Sequence, residues 1–598
     1  MELELKNEPT AGAESRTQRA ITIVRLVLAM LLTALGMPYA WARSFVGWQL
    51  VGQPEIYFAV IFLFAIAAIV GLTYRLGDAP AVKPRAGAIV VVMIGVWIAV
   101  NVAMFWAKLG TLVPRVYVLG AYLPGSLAIP WAAWMSFRPM NWQTRLIVSV
   151  PLVTMLAGFL LIFRAEGLSG DSSVNFAWRW AASKPTQPVE SLPTPAVSES
   201  ADAPLIEDPE HDSPQFLGPD RTGILPNSRL ARDWSSQPPR ELWRRSVGAG
   251  WSSFAIVGEL AFTQEQRGER ESVVCYRVKT GAEVWAHSDP VNFTSSLGGP
   301  GPRATPTVRE GRVYAVGVTG ILNCLDGRNG RRIWSVDILK DNHAENIAHG
   351  VCASPLVLED VVLVCPTGSD GPSLVAYDRE TGRRAWSGGT HGASYSSPLV
   401  AELCGTSQVL LFNSAGISGH ELGSGKELWF FAWTNSATTN VAQPIVHAAG
   451  ADRVFISTGY DTGCTLLQIT ASADESWHVE PLWSNNHLKT KFCSAVAIDG
   501  FVYGLDDGIL ACLNLTTGVR KWKAGRYGHG QVLLAGKLLL VQAESGDVIL
   551  IDPSPMKLRE LGRIPALTGK TWNNPALAGS YLLVRNDHEA ACYELRCE

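Results

Sequence analysis

The sequence predicts an all-β eight-bladed propeller preceded by an α-helical transmembrane domain of five helices. Three observations carry that reading. A Gly followed four residues later by Trp recurs as Gly281/Trp285, Gly330/Trp334, Gly382/Trp386, Gly425/Trp429 and Gly518/Trp522. Five long apolar runs without Asp, Glu, Lys or Arg occupy the first 164 residues. Between the two lies a Pro- and Ser-rich stretch with few large apolar side chains. The divisions that follow are a cytoplasmic tail at 1–22, the membrane domain at 23–164, a linker at 165–214 and the propeller at 215–598.

The apolar runs at 26–42, 56–74, 86–107, 116–137 and 146–163 are 17–22 residues long. A helix of that length crosses a ~30 Å hydrocarbon core. The first run follows a mostly polar stretch, lacks a small-x-small cleavage site and precedes four more runs, so it reads as a retained helix and not a signal peptide. Lys6, Arg16, Arg19, Arg25, Arg75, Lys83, Arg85, Arg138 and Arg145 fall on one side of the spans; Arg43, Lys108, Arg115 and Arg164 fall on the other. The excess of basic residues marks the cytoplasmic side, which places the N-terminus inside and everything after 163 outside the cytoplasm. The spans lack the ionisable side chains that line ion and substrate paths, so they are expected to anchor; a quinone or lipid site is the alternative.

In the linker, Phe176-Ala-Trp-Arg-Trp180 suits the headgroup layer. Seven Pro between 183 and 214, among Ser, Thr, Glu and Asp, make an extended spacer that cannot bury a core.

From 215 onward the chain repeats about every 40–50 residues, the signature of propeller blades. Each copy reads strand, turn, strand, Thr-Gly turn, and a strand ending in Trp. The residue before the turn Gly is Thr280, Asn329, Thr381, Ser424 or Thr517. Asp326, Asp378, Glu421 and Asn514 stand four residues before it, where a side chain can accept from turn amides. Trp243 and Trp483 mark two further outer strands, and one unit degenerates to Leu558-Arg-Glu-Leu-Gly562. The last unit stops before a Trp strand, while Arg240-Glu-Leu-Trp243 is a Trp strand with no blade before it. Trp243 is therefore expected to complete the last blade and close an eight-membered ring.

All ten Cys lie between Cys275 and Cys597, with no adjacent pair and no C-x-x-C. Cys275, Cys324 and Cys512 stand six residues before the turn Gly, where other copies have Ala376 and Gly419, so that slot is small and tightly packed. Equivalent positions belong to separate inter-blade layers. A bridge such as Cys352 with Cys365 is open. The charged run 264–271 reads as a solvated hairpin tip. A net charge of −3 with 17% charged residues argues against a nucleic-acid partner.

A small-residue-Pro signal precedes most innermost strands: Ala304-Thr-Pro306, Ala353-Ser-Pro355, Ser396-Ser-Pro398, Ala442-Gln-Pro444 and Asn573-Asn-Pro575. Residues just upstream are expected to rim the axial channel, namely Trp251, Arg303, His349, Tyr395, Asn440, Lys491, His529 and Trp572. Aromatics, two cations and two His there suit an anionic or planar ligand. The alternative is that these are only the polar, hydrated side chains that line any propeller channel.

The Asp-x-x-Thr-Gly-x-x-x-Trp repeat resembles the tryptophan-docking motif of the pyrroloquinoline-quinone (PQQ) quinoprotein superfamily, whose members are eight-bladed propellers. Gln215-Phe-Leu-Gly-Pro-Asp-Arg-Thr-Gly223 and Gly250-Trp-Ser-Ser-Phe254 also resemble the opening of bacterial PQQ-like repeat proteins. The resemblance implies a bacterial inner-membrane protein with its propeller in the periplasm. One branch, membrane-bound quinoprotein glucose dehydrogenase, likewise pairs five membrane helices with a propeller. Another is non-catalytic and includes the outer-membrane assembly factor BamB, with short loops and a similar length. The few insertions here, with no Cys-Cys pair and no recognisable calcium-ligand set, favour a binding or scaffold module with a protein partner on the propeller face and no cofactor. The competing expectation is a dehydrogenase that uses PQQ with calcium, oxidises a sugar or alcohol and passes electrons to membrane quinone.

Overall fold

The computed structural model describes residues 162–168, 174–178, 180, 207–208 and 210–597, apart from 296–297, 367–370 and 474–475. The expected membrane spans lie outside the described residues, as does most of the linker. Among the described residues no helix is long and apolar enough to cross a membrane. Phe163–Leu168 and Val174–Trp178 form a two-stranded sheet at the start of the stretch assigned to the linker.

The repeats fold into seven four-stranded antiparallel sheets and one five-stranded sheet. These are the eight blades, numbered here from the innermost strand Ala255–Val257 of blade 1. Innermost strands of blades 2 to 8 are Thr307–Arg309, Leu356–Val357, Leu399–Leu403, Ile445–Val446, Val496–Ile498, Gln531–Ala535 and Ala576–Ala578. The ring closes as the sequence implies. Arg240–Ser246 is the outer strand of blade 8, with Trp243 opposite Cys592.

One bulge recurs in every blade. The outer strand pairs Trp334 with Cys324 and Arg332 with Leu325, so Ile333 has no partner. The same residue is skipped before Trp243, Trp285, Trp386, Trp429, Trp483 and Trp522, and before Gly562. An extra residue on one strand twists the ladder and turns the next side chain toward the neighbouring blade. The outer strand also runs on past the Trp, contrary to the expectation that it ends there. Asp337 still pairs with Ile321, because the third strand offers partners along its whole length.

Four Trp side chains dock on the next blade as the repeat implies, whereas Trp429 donates to Gln408 Oε1 of its own blade. Trp243, Trp285, Trp334 and Trp483 donate Nε1–H to the carbonyls of Val278, Gly327, Arg379 and Leu515 at 2.6–3.0 Å. Each acceptor lies three residues before the turn Gly of the next blade. That Gly has φ +67 to +70° at 281, 330, 382 and 518. It is required twice over, because a Cβ at Gly330 would lie 2.5 Å from Trp285 Cε3. Asp378 Oδ1 accepts from Glu380 N and Thr381 N, and Asn514 Oδ1 from Thr517 N, the turn role assigned from sequence.

The buried apolar side chains form eight clusters, one per inter-blade layer. Cys275, Cys324, Cys512 and Cys592 belong to four different ones. All ten Cys are free thiols, including Cys352 and Cys365. Blade 7 lacks a Trp on its outer strand, and Gly562 stands opposite Leu550 instead. Trp234, from the chain leading into Arg240–Ser246, packs directly on Gly562 and is 4% exposed. Its indole joins Leu550, Leu577 and Tyr593 in the layer between blades 7 and 8.

The charged run 264–271 is not a solvated tip. Glu265 is fully buried, and Gln264, Gln266 and Glu271 nearly so. Only 268–270 are exposed, and Arg267 is half-buried. Burial is tolerated because Glu265 meets Arg267 at 3.0 Å, accepts from Tyr276 Oη at 2.7 Å and accepts from Gly248 N at 2.9 Å. Arg585 of blade 8 sits beside this group, donating to Thr263 Oγ1, Gln264 O and Gly248 O across the closure seam.

Candidate functional site

The small-residue-Pro signal marks an annulus around the bore. The N–H of Ser253 donates to Thr305 Oγ1, that of Thr305 to Ser354 Oγ, that of Ser354 to Ser397 Oγ, that of Ser397 to Gln443 Oε1, and that of Gln443 to Ser494 Oγ. Each link joins one blade to the next. Gln531 of blade 7 donates Nε2–H to Phe492 O and Trp572 O on either side, and Asn573 of blade 8 closes the circuit by donating to Gly250 O and Ser252 O. Pro suits the following position, where a backbone N–H inside the ring would have no strand to bond.

One end of the bore is crossed by the strap Ser213–Leu225. Ser213 bridges to Ile256 of blade 1, and Pro214 O accepts from Val308 N of blade 2. Arg221 donates to Ser354 O and Pro355 O of blade 3. Three residues on, Ile224–Leu225 pairs in parallel with Leu534 and Ala535 of blade 7. Blades 3 and 7 face each other across an eight-membered ring, so the strap spans the axis. Arg221 is 1% exposed, and burial alone lowers its pKa to about 9. The strap backbone pairs within or at the C-terminal ends of the innermost strands, and the Arg221 side chain reaches carbonyls just before that of blade 3. The candidate rim residues precede those strands and therefore stand toward the other end.

The structure divides the rim in two. On blades 1 to 4, a short hairpin of Thr294–Ser295 and Gly299–Pro300 leans on three candidates. Trp251 Nε1 donates to Gly298 O, and Arg303 donates to Ser295 Oγ, Gly299 O and Gly301 O. His349 Nδ1 meets the same Ser295 Oγ at 3.2 Å, and its ring lies 5.6 Å from Tyr395. Burial first, then the Arg303 charge, holds His349 down at about 4, so it is neutral at pH 7. Burial raises the Tyr395 phenol and pushes the nearby Cys352 thiol up to about 12. Arg303 is thus a half-buried cation whose hydrogen bonds go to neutral acceptors in its own loop.

On blades 5 to 8 the rim is aromatic. Trp251 and Trp572 lie 4.9 Å apart, Phe492 lies 5.0 Å from Trp572, and His529 lies 5.6 Å from Phe492. Lys570 Nζ sits 4.2 Å from the Trp572 ring and 5.1 Å from the Trp251 ring. Lys491 Nζ lies over Tyr460 and Phe492. Glu544 accepts from Trp572 Nε1 at 2.8 Å and from His529 N at 2.9 Å.

One candidate does not belong to the rim. Asn440 is fully buried; it donates to Asn413 O and Trp433 O and accepts from Asn435 Nδ2. It staples blades 4 and 5, because its own N–H and C=O are tied to Ser394 and point the side chain inward. Phe492, Lys570, Tyr460 and Glu544 were missed. The signal for Phe492 and Lys570 was adjacency to chosen positions; Tyr460 and Glu544 sit on turns between second and third strands, which the reading of inner-strand starts ignored. A cavity of about 510 Å³ elsewhere is lined by Arg244, Arg245, His588 and Glu589. Its Arg244 is already held by Glu589 and Glu241.

A family model described as outer membrane protein assembly factor BamB matches residues 232–349 and 269–524. The blades are PQQ-like repeats. The quinohemoprotein alcohol dehydrogenase ADH-IIG of Pseudomonas putida is 28% identical to this PQQ-like propeller over 212 residues, 31% of this chain. The chain spans 28% of that relative's length. Among solved structures, BamB from Moraxella catarrhalis is similar with a TM-score of 0.44 at 15% identity, covering 60% of this chain and 98% of that one. The P. putida quinohemoprotein alcohol dehydrogenase gives 0.47 at 13% identity, covering 66% and 83%.

Proposed function

We propose that this chain is a membrane-anchored, non-catalytic binding module whose propeller stands in the periplasm of a bacterium and holds a protein partner at its open rim. The observation that carries this reading is the closed contact of Trp251 with Trp572 at 4.9 Å. A planar ring sandwiched between two others needs them about 7 Å apart, at ~3.5 Å per contact. The two indoles therefore leave no slot for a flat quinone between them, and Arg303 is engaged by Ser295, Gly299 and Gly301. Trp251 and Trp572, as close as this, do not sandwich a PQQ ring between them, and no reaction step is assigned through one.

The second reading is a PQQ-dependent dehydrogenase, favoured by the 28% identity to a protein named quinohemoprotein alcohol dehydrogenase. One experiment separates the two. Full-length protein, loaded with PQQ and calcium, is screened for dye reduction with sugars and alcohols. The binding-module reading expects no substrate-dependent reduction; a reproducible, saturable rate would establish the enzyme.

A further inference from the structure

On blades 1 to 4 the rim carries one cation among neutral hydrogen-bond donors. Arg303, His349, Cys352 and Tyr395 are all half-buried there, so each keeps part of its surface in solvent. Arg303 donates Nη1–H to Gly301 O and Nη2–H to Ser295 Oγ and Gly299 O. Its guanidinium also lies 5.3 Å from the Phe293 ring. These contacts fix the group in place without matching its charge. Among the described residues, no carboxylate forms an ion pair with Arg303. Glu271 acts on it at longer range, and both Glu271 oxygens accept from Val318 N.

Ser295 decides where the protons lie. A hydroxyl oxygen has two lone pairs. Those of Ser295 accept from Arg303 Nη2 and Gly298 N, each at 3.0 Å. Its own proton is left for His349 Nδ1, at 3.2 Å. His349 is neutral, because burial and then the Arg303 charge hold it down at about 4. The imidazole proton therefore sits on Nε2, and among the described residues nothing accepts from it. Tyr395, its ring 5.6 Å from His349, keeps the phenolic proton because burial raises its pKa. Cys352 stays a thiol for the same reason and donates to Gly350 O at 3.3 Å. A charge withdrawn from water without a counter-charge is costly, and a group with charged acceptor oxygens offsets that cost.

We propose that Arg303, His349 and Tyr395 form a binding site for a small, soluble oxyanion, either a carboxylate or a phosphate. The anion lies against the guanidinium and accepts from His349 Nε2–H and the Tyr395 O–H. The Trp251–Trp572 pair takes no part, so the ligand needs no stacking slot. The site goes beyond the binding-module reading and does not depend on it.

The test is calorimetric titration of full-length protein in nanodiscs of zwitterionic lipid at pH 7, in Tris chloride. Inorganic phosphate and succinate are the probes, and glucose is the neutral control. Saturable binding of at least one anion is expected, and none of glucose. Arg303→Gln should weaken that binding by about tenfold or more, as expected for losing a charged partner. Tyr395→Phe keeps the ring and every contact of the Arg303 loop, and should weaken it by about two- to tenfold. Lys279→Gln, on a turn at the strap end, should change nothing. Melting curves on the same samples show which variants are folded; if Arg303→Gln is not, Tyr395→Phe decides alone. Binding of phosphate only, or of succinate only, with these losses supports the proposal and names the oxyanion. No saturable binding of either anion, or full affinity in Tyr395→Phe, overturns it. Dye reduction with PQQ and calcium decides the binding-module reading separately.

Discussion

The N–H of Thr305 donates to Ser354 Oγ at 2.9 Å, tying the start of one blade to the start of the next. Both residues are 1–2% exposed, so no water can replace the acceptor. Ser354→Ala should cost about 1–3 kcal/mol, the penalty for a buried amide left unpaired. Ser354→Thr, which keeps the oxygen, should cost less. Thermal unfolding followed by Trp fluorescence reads the difference.

Two glycines separate strain from docking. Gly330 and Gly311 share φ near +70°, but a Cβ at Gly311 meets nothing within 4 Å, whereas at Gly330 it strikes Trp285. Gly311→Ala should cost about 1–2 kcal/mol of backbone strain. Gly330→Ala should cost clearly more, with a change in Trp285 fluorescence. Equal losses would mean that the Trp contact contributes nothing.

Trp234 fills the layer that Gly562 leaves open, in company with Leu550 and Leu577. Trp234→Ala should destabilise by about 3–5 kcal/mol, in the range for emptying a large core site. A loss under about 1 kcal/mol would show that blades 7 and 8 pack without it.

Ring architecture, the closing strand and the small Cys slot were all legible in the sequence, because each rests on a local repeat. Gly and Trp four apart report one turn and one docked indole wherever they occur. What the repeat could not show was anything made by residues outside it. Trp234 stands in no blade pattern, yet it replaces the missing Trp of blade 7. The charge of Glu265 read as exposure because its partners Arg267, Tyr276 and Gly248 come together only in the fold. Asn440 was placed by counting back from a Pro, which locates a backbone position but not the direction of a side chain.

Glu271 supplies a pH dependence. Burial raises its carboxyl to about 7, against the lowering effects of the Val318 N–H and Arg303. Because the folded value lies above the ordinary carboxyl value of 4.5, its contribution is fully present below about 4.5 and is lost as pH rises through 7. Each unit is worth about 1.4 kcal/mol. Glu271→Gln keeps an acceptor for Val318 N and removes the charge. Its melting temperature should exceed that of the wild type at pH 8, and the gap should close by pH 5. A pH-independent gap would place the effect elsewhere.

The outer strand of blade 8 is made first and paired last. Arg240–Ser246 leaves the ribosome hundreds of residues before its partner Glu589–Glu594 exists, and at ~5–20 residues per second that wait is tens of seconds. Through that interval both edges of an incomplete arc stand open, and an unpaired edge is a template for another chain. The strap shares the delay, since Ile224–Leu225 needs blade 7. The nascent chain is therefore most exposed to misassembly just before completion, and a holdase that shields strand edges would raise its yield more than one that speeds helix formation.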